Sequence, residues 1–165
     1  MIKIGITGHQ KLEKVESWLW IENCLRKLLS EERKTIIGIT SLALGADQLF
    51  ARLLLELKGL LYVIIPFPDY ENKFETKILR STYNSYLKQA YRIETLEYQS
   101  TDEEGYLNAG RHVVDLSDKM IAIWNGKIAI GLGGTGDIVE YCWQIKKEVI
   151  HINPNEKQIT KLINN

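Results

Sequence analysis

The chain predicts one α/β domain: a parallel sheet of about five or six strands with helices on both faces. Short runs rich in β-branched residues alternate with longer stretches of helical periodicity along its whole length. There is no internal repeat, no low-complexity tract and no linker-like segment. At 165 residues with 45% hydrophobic content, the chain supports a single core of ordinary size, spanning 1–165.

Ile2 to Thr7 reads as a first strand, ended by Gly8-His9-Gln10. Val15, Trp18, Leu19, Ile21, Leu25, Leu28 and Leu29 recur at helical spacing, which predicts a helix from about Glu13 to Glu32. Thr35 to Thr40 is a second strand, and Leu49, Phe50, Leu53, Leu54 and Leu57 mark a second helix stopped by Gly59. Leu60 to Ile65 is a third strand, broken by Pro66 and Pro68. A polar helix is expected over Glu71 to Ala90 and a fourth strand over Tyr91 to Leu96. Thr101 and Glu104 have the spacing of a capping box for a helix running to Ser117. Lys119 to Trp124 is a fifth strand, followed by a glycine turn and a helix from Thr135 to Lys147. Val149 to Ile152 is a short last strand before a polar tail.

Composition removes several function classes. Lys plus Arg and Asp plus Glu each number 21. No global basic field exists to hold a nucleic-acid backbone, and no nucleic-acid partner is expected. No apolar run approaches the ~18 residues of a membrane span. Met1 leads directly into a strand without a leader pattern, so a cytoplasmic chain with no membrane partner is expected. Cys24 and Cys142 fall within helical patterns and lack Cys-x-x-Cys pairing, which fits reduced, packed thiols. No His and carboxylate set has metal-ligand spacing, so no metal is predicted.

Three loops follow the carboxyl ends of parallel strands, the edge where open α/β sheets bind ligands. These are Thr7 to Gln10, Ser41 to Asp47, and Asn125 to Asp137. The last contains Gly131-Leu132-Gly133-Gly134-Thr135-Gly136-Asp137, at the start of a helix. Its uncovered backbone N–H groups, with the partial positive charge of the helix end, suit a phosphate or carboxylate. The spelling is G-x-G-x-x-G, but a dinucleotide fingerprint belongs to the first strand–helix turn, with an acidic residue about 20 positions on. Too little chain remains here to supply it. A nucleotide is therefore the expected ligand, held by Gly133, Gly134, Thr135, Gly136 and Asp137, with no resident cofactor.

Other residues admit two roles each. Asp47 either caps the helix that Gly45-Ala46-Asp47 opens, or turns its carboxylate to a ribose hydroxyl or base edge beside Ala46. His9, after Gly8, either faces a ligand or makes a structural hydrogen bond. Trp124 either walls a base or packs. Arg111 and Asp115 stand one helical turn apart and can pair, or Arg111 can reach a phosphate. Glu140, four residues past Gly136, is either a helix-dipole partner or a cleft carboxylate. Asp69, Tyr70 and Glu71, after the third strand, are candidates for part of a rim or a lid.

Ser41-Leu42-Ala43-Leu44-Gly45-Ala46-Asp47 resembles the S-G-x-A-x-G-x-D segment of the SLOG superfamily. That group joins the DNA-processing protein A family, the LONELY GUY phosphoribohydrolases, molybdenum-cofactor carrier proteins and YpsA-like proteins. Val113 to Asp118 followed by Ile121 to Gly126 resembles the YpsA-like "MVDxSD…AVWNG" stretch, and Thr7-Gly8-His9 the opening "TGHR". The resemblance implies a Rossmann-like sheet that binds a nucleotide or nucleotide-derived ligand, often as a homodimer.

For the LONELY GUY enzymes it implies N-glycosidic hydrolysis of nucleoside monophosphates, a hydrolase chemistry. Gly133 to Glu140 follows their P-G-G-x-G-T-x-x-E motif, with Leu132 in place of proline and Asp137 in place of threonine. Glu140 then stands at the catalytic glutamate and Arg111 near the catalytic arginine. Asn125 to Leu132 is an insertion relative to those enzymes, and Gln10 replaces the arginine of "TGHR". Two functions are carried forward: a nucleotide-binding sensor or carrier, and a phosphoribohydrolase-like N-glycosidase. A third, single-stranded DNA binding by similarity to the DNA-processing family, is disfavoured by zero net charge and the lack of aromatic–basic interleaving around the glycine loop.

Overall fold

A computed structural model describes residues 1–129 and 131–162. It contains one seven-stranded sheet in the order β4-β3-β2-β1-β5-β6-β7. The strands are β1 (Ile2–Gly8), β2 (Ile36–Thr40), β3 (Leu60–Ile65), β4 (Arg92–Thr95), β5 (Lys119–Ile123), β6 (Val149–Asn153) and β7 (Gln158–Leu162). The first six run parallel, and β7 pairs antiparallel with β6 at the edge. Every residue of β2 is buried, as a central parallel strand covered on both faces requires.

Five helices cover the sheet: α1 (Ser17–Ser30), α2 (Ala46–Glu56), α3 (Lys77–Gln89), α4 (Asp102–Leu116) and α5 (Thr135–Gln144). One core layer joins Ile4 and Ile6 of β1 to Ile21 and Leu25 of α1, Phe50 and Leu54 of α2, and Tyr83 of α3. The other joins Ile39 of β2 and Met120 of β5 to Val113 of α4 and Ile138 and Cys142 of α5. None of the helices is long and apolar enough to cross a membrane, among the described residues.

Several boundaries differ from the sequence pattern, each for a local reason. α1 begins at Ser17 rather than near Glu13, because its buried stripe is Ser17, Ile21, Leu25 and Leu29 at steps of four. Val15 and Leu19 fall off that stripe and are exposed. The helix expected over Glu71 to Ala90 is divided. A 3-10 turn at Tyr70–Lys73 precedes extended, buried Phe74, and Thr76 then caps α3 by accepting from Leu79 N–H at 3.2 Å. Thr101 caps α4 in the expected way, accepting from Glu104 N–H at 3.2 Å.

α5 stops at Gln144, short of Lys147. Lys146 adopts φ 58°, with Lys147 N–H bonded to Cys142 O at 2.8 Å and Lys146 N–H to Trp143 O at 3.1 Å. That pair of bonds is a Schellman ending. The expected polar tail is instead β7. Asn153 Oδ1 accepts from Asn155 N–H at 3.0 Å and Glu156 N–H at 3.2 Å, which turns the chain back. The hairpin adds the strand that the sequence reading lacked.

Candidate functional site

The connections part beside β1. The chain passes from β1 to β2 on one side, while α4 carries it from β4 at the far edge back to β5 on the other. Ligands of α/β sheets bind at the carboxyl ends of strands at such a switch point. A cleft of about 700 Å³ lies there. Gly8 and His9, Ser41 and Asp47, Trp124, and Gly133 to Gly136 all line it, so the three loops converge. Ile130 of the third loop lies outside the described residues.

Main-chain bonds lock the first two loops together. His9 N–H donates to Ile123 O at 3.0 Å, and His9 O accepts from Ala46 N–H at 3.2 Å. Gly45 has φ 79°, and a Cβ there would lie 2.6 Å from His9 O. Only glycine lets α2 start so close to the first loop. Ala46 is fully buried and spends its N–H on this contact, so it stands behind the cleft wall.

The His9 imidazole makes a structural bond as well. Its Nε2 accepts from Asn125 N–H at 3.1 Å, which requires a neutral ring with the proton on Nδ1. Burial lowers its pKa, against the raising influence of Asn125 and Glu13.

Asp47 is not the cap of α2. Gly45 holds that position, and Asp47, in the first turn, bends back to the loop after β2. Its carboxylate accepts from Thr40 Oγ1 at 2.7 Å and from Ser41 N–H at 3.1 Å. The residue is 7% exposed. Burial pushes its pKa up to about 6, with the bonds from Thr40, Ser41 and Ala43 opposing. Its geometry is that of a loop staple at the cleft floor.

Trp124 is buried and pins the next turn by donating its indole N–H to Lys127 O at 2.8 Å. Its own carbonyl accepts from His151 Nε2 at 2.7 Å. In the glycine turn, much of the close approach is to the protein itself. A Cβ on Gly133 would lie 2.8 Å from Leu107 N, and one on Gly134 or Gly136 would lie 2.8 Å from Ala129. The carboxylate of Asp137 accepts from Gly133 N–H at 2.8 Å and lies outside the cleft lining. The N–H groups of Thr135 and Gly136, at the start of α5, have no partner among the described residues. These two donors remain for an anion.

Of one wall the sequence indicated only Tyr70. Tyr70, Lys73 and Phe74 follow β3, and Tyr106 comes from the first turns of α4; all four line the cleft. Tyr70 and Tyr106 have ring centroids 6.1 Å apart, and Phe74 stacks on Tyr83 at 4.7 Å. Lys73 is ion-paired with Asp102, and Lys127, also on the cleft, with Glu13 at 3.5 Å. The signal was available: β3 also ends on the ligand edge. The sequence pointed to Asp69, Tyr70 and Glu71 as a rim, and of these only Tyr70 reaches the cleft.

Glu140 and Arg111 are exposed and absent from the cleft lining. Arg111 lies over the Tyr141 ring at 5.1 Å, and Tyr141 Oη donates to Asp115 at 2.8 Å. Arg111 and Asp115 thus meet on a tyrosine rather than pairing directly. Among the described residues, no group of three or more His, Cys, Asp or Glu side chains gathers to hold a metal.

No protein-family model matches the chain, and no curated protein matches it in sequence. Solved structures do. DNA processing protein A from Streptococcus pneumoniae superposes with a TM-score of 0.68 at 15% identity, covering 92% of this chain and 50% of that one. DNA processing protein A from Helicobacter pylori gives 0.62 at 15%, covering 91% and 64%. The molybdenum cofactor carrier protein from Chlamydomonas reinhardtii gives 0.51 at 15%, covering 91% and 75%. The chain thus spans half the length of the first and under two thirds of the second.

The H. pylori structure describes a single-stranded DNA binding mode, which overturns the inference of no nucleic-acid partner from balanced charge. Net charge is a sum over the whole surface, whereas a strand is held by local lysines and stacking rings. Here residues distant in sequence, Lys73 and Tyr106 among them, meet on one cleft. At 15% identity these likenesses concern architecture alone: the chain shares the Rossmann-like fold of these proteins.

Proposed function

We propose that the cleft binds a nucleotide or nucleotide-derived phosphate ligand, as a sensor or carrier. One observation carries this reading: the two N–H groups at the start of α5 that have no partner among the described residues share a cleft with the aromatic wall of Tyr70, Phe74 and Tyr106. The first suits a phosphate and the second a planar base. Lys73 and Lys127 are each already paired with a carboxylate, and Asp137 offsets part of the α5 dipole. That balance favours a ligand of modest charge over a polyphosphate.

The experiment is titration calorimetry with nucleoside mono- and diphosphates, ADP-ribose and a short single-stranded oligonucleotide. A Thr135→Glu variant is the control. Glutamate in the first helical turn suits α5 but places a negative charge where the phosphate is to sit. Its Kd should rise at least about tenfold. Unchanged affinity in the variant, or no binding by the wild-type protein, refutes the reading.

Chromatography of the same mixtures tests N-glycosidic hydrolysis, the alternative in which Glu140 and Arg111 act. Both stand off the cleft wall, so we adopt binding without turnover.

A further inference from the structure

Tyr70 lines the cleft yet is only 6% exposed. Rings hold it on several sides, with centroids of Phe74 at 5.4 Å, Phe67 at 5.7 Å, Tyr83 at 5.8 Å and Tyr106 at 6.1 Å. Its hydroxyl has no hydrogen-bond partner among the described residues. No fully buried side-chain polar atom lacks a partner there either. The Tyr70 hydroxyl therefore reaches open space, and the space this residue borders is the cleft.

A residue kept for packing alone would serve as well as phenylalanine, without an unpaired hydroxyl set in an aromatic wall. No hydrogen bond joins this hydroxyl to the Asp47 carboxylate, whose Oδ2 accepts from Thr40 and Ser41. Burial, with the Asp47 charge nearby, holds Tyr70 protonated and hence a donor. The surface around it is planar and aromatic, which suits a base better than a sugar.

We propose that Tyr70 determines the specificity of the cleft: its hydroxyl donates to an acceptor on a nucleobase, selecting a nucleotide over a sugar phosphate or phosphate alone. This rests on the nucleotide reading above. The bond to a base acceptor is made only by the ligand, so ligands that lack the acceptor forgo it.

Tyr70→Phe removes the hydroxyl and keeps the ring contacts. Wild type and variant are titrated with AMP, GMP, CMP, UMP, ribose 5-phosphate and inorganic phosphate, with melting temperature as the fold control. The expected result has two parts. At least one nucleotide binds the wild type more tightly than ribose 5-phosphate, and the variant loses about tenfold for that nucleotide but keeps its affinity for ribose 5-phosphate.

Equal loss for both ligands, or no loss, overturns the role of Tyr70 while leaving the nucleotide reading in place. Failure of the wild type to bind any nucleotide overturns both. A second test needs no variant: a nucleotide analogue lacking the base acceptor should bind the wild type about tenfold more weakly than its parent. Equal binding of every acceptor-deleted analogue overturns the proposal.

Discussion

Asp47 makes wild-type stability depend on pH in a direction opposite to that of an ordinary ion-paired aspartate. Its carboxyl sits at about 6 in the folded protein against an ordinary 3.8, because burial outweighs the bonds from Thr40, Ser41 and Ala43. Below the lower value both folded and unfolded states carry the proton, and the residue contributes nothing to the slope. Between the two values the unfolded chain releases its proton first and is favoured. Stability therefore falls as pH rises from about 4 to about 6. The gap between 3.8 and about 6, at ~1.36 kcal/mol per pH unit, is worth about 3 kcal/mol.

The perturbation is Asp47→Asn. Asparagine offers one acceptor oxygen to three donors, which costs about 1–3 kcal/mol, but that cost does not change with pH. Denaturant unfolding followed by circular dichroism at pH 4 to 7.5 gives both curves, with an unchanged m-value as the control. The wild-type advantage over the variant should shrink by about 2 kcal/mol across this range, the remainder of the ~3 kcal/mol lying below pH 4. A constant difference, or one that grows in favour of the wild type, refutes the reasoning. It would mean that the hydrogen bonds outweigh burial and hold the carboxyl at or below its ordinary value.

His9 should act in the opposite sense. Its folded pKa lies below 6.5, so acidification through 6.5 protonates the unfolded chain first and removes stability, a loss that should be absent from the unfolding curves of His9→Gln. Lys146 holds a φ of 58° at the Schellman end of α5, so Lys146→Gly should raise stability by about 0.5–1 kcal/mol, read as a shift in the denaturant midpoint.

Local signals settled much of the architecture. The runs at Thr35 to Thr40 and Leu60 to Ile65 became β2 and β3, the first starting one residue later than expected. Thr101 capped α4 because capping is a contact between residues three apart. The gathering of Gly8, Asp47 and Gly133 on one edge was legible too, since each follows a parallel strand and all such strands end on the same side.

What sequence spacing misled on was decided by contacts between distant residues. Asp47 has the spacing of a cap, yet its carboxylate is drawn to Thr40 and Ser41, because α2 starts against His9 O and turns that side chain inward. β7 looked polar because an edge strand has little to bury, and its pairing with β6 depends on a turn set by the Asn153 side chain. The aromatic wall exists because α4 brings Tyr106 beside Tyr70, across 36 positions of chain.

The sequence by itself determined the layers and the edge on which a ligand site forms, since strand, helix and cap formation depend on near neighbours. Only the tertiary structure decided which side chains face that site. The exposure of Glu140, the staple made by Asp47 and the open hydroxyl of Tyr70 depend on how the elements pack, and packing is a property of the whole chain.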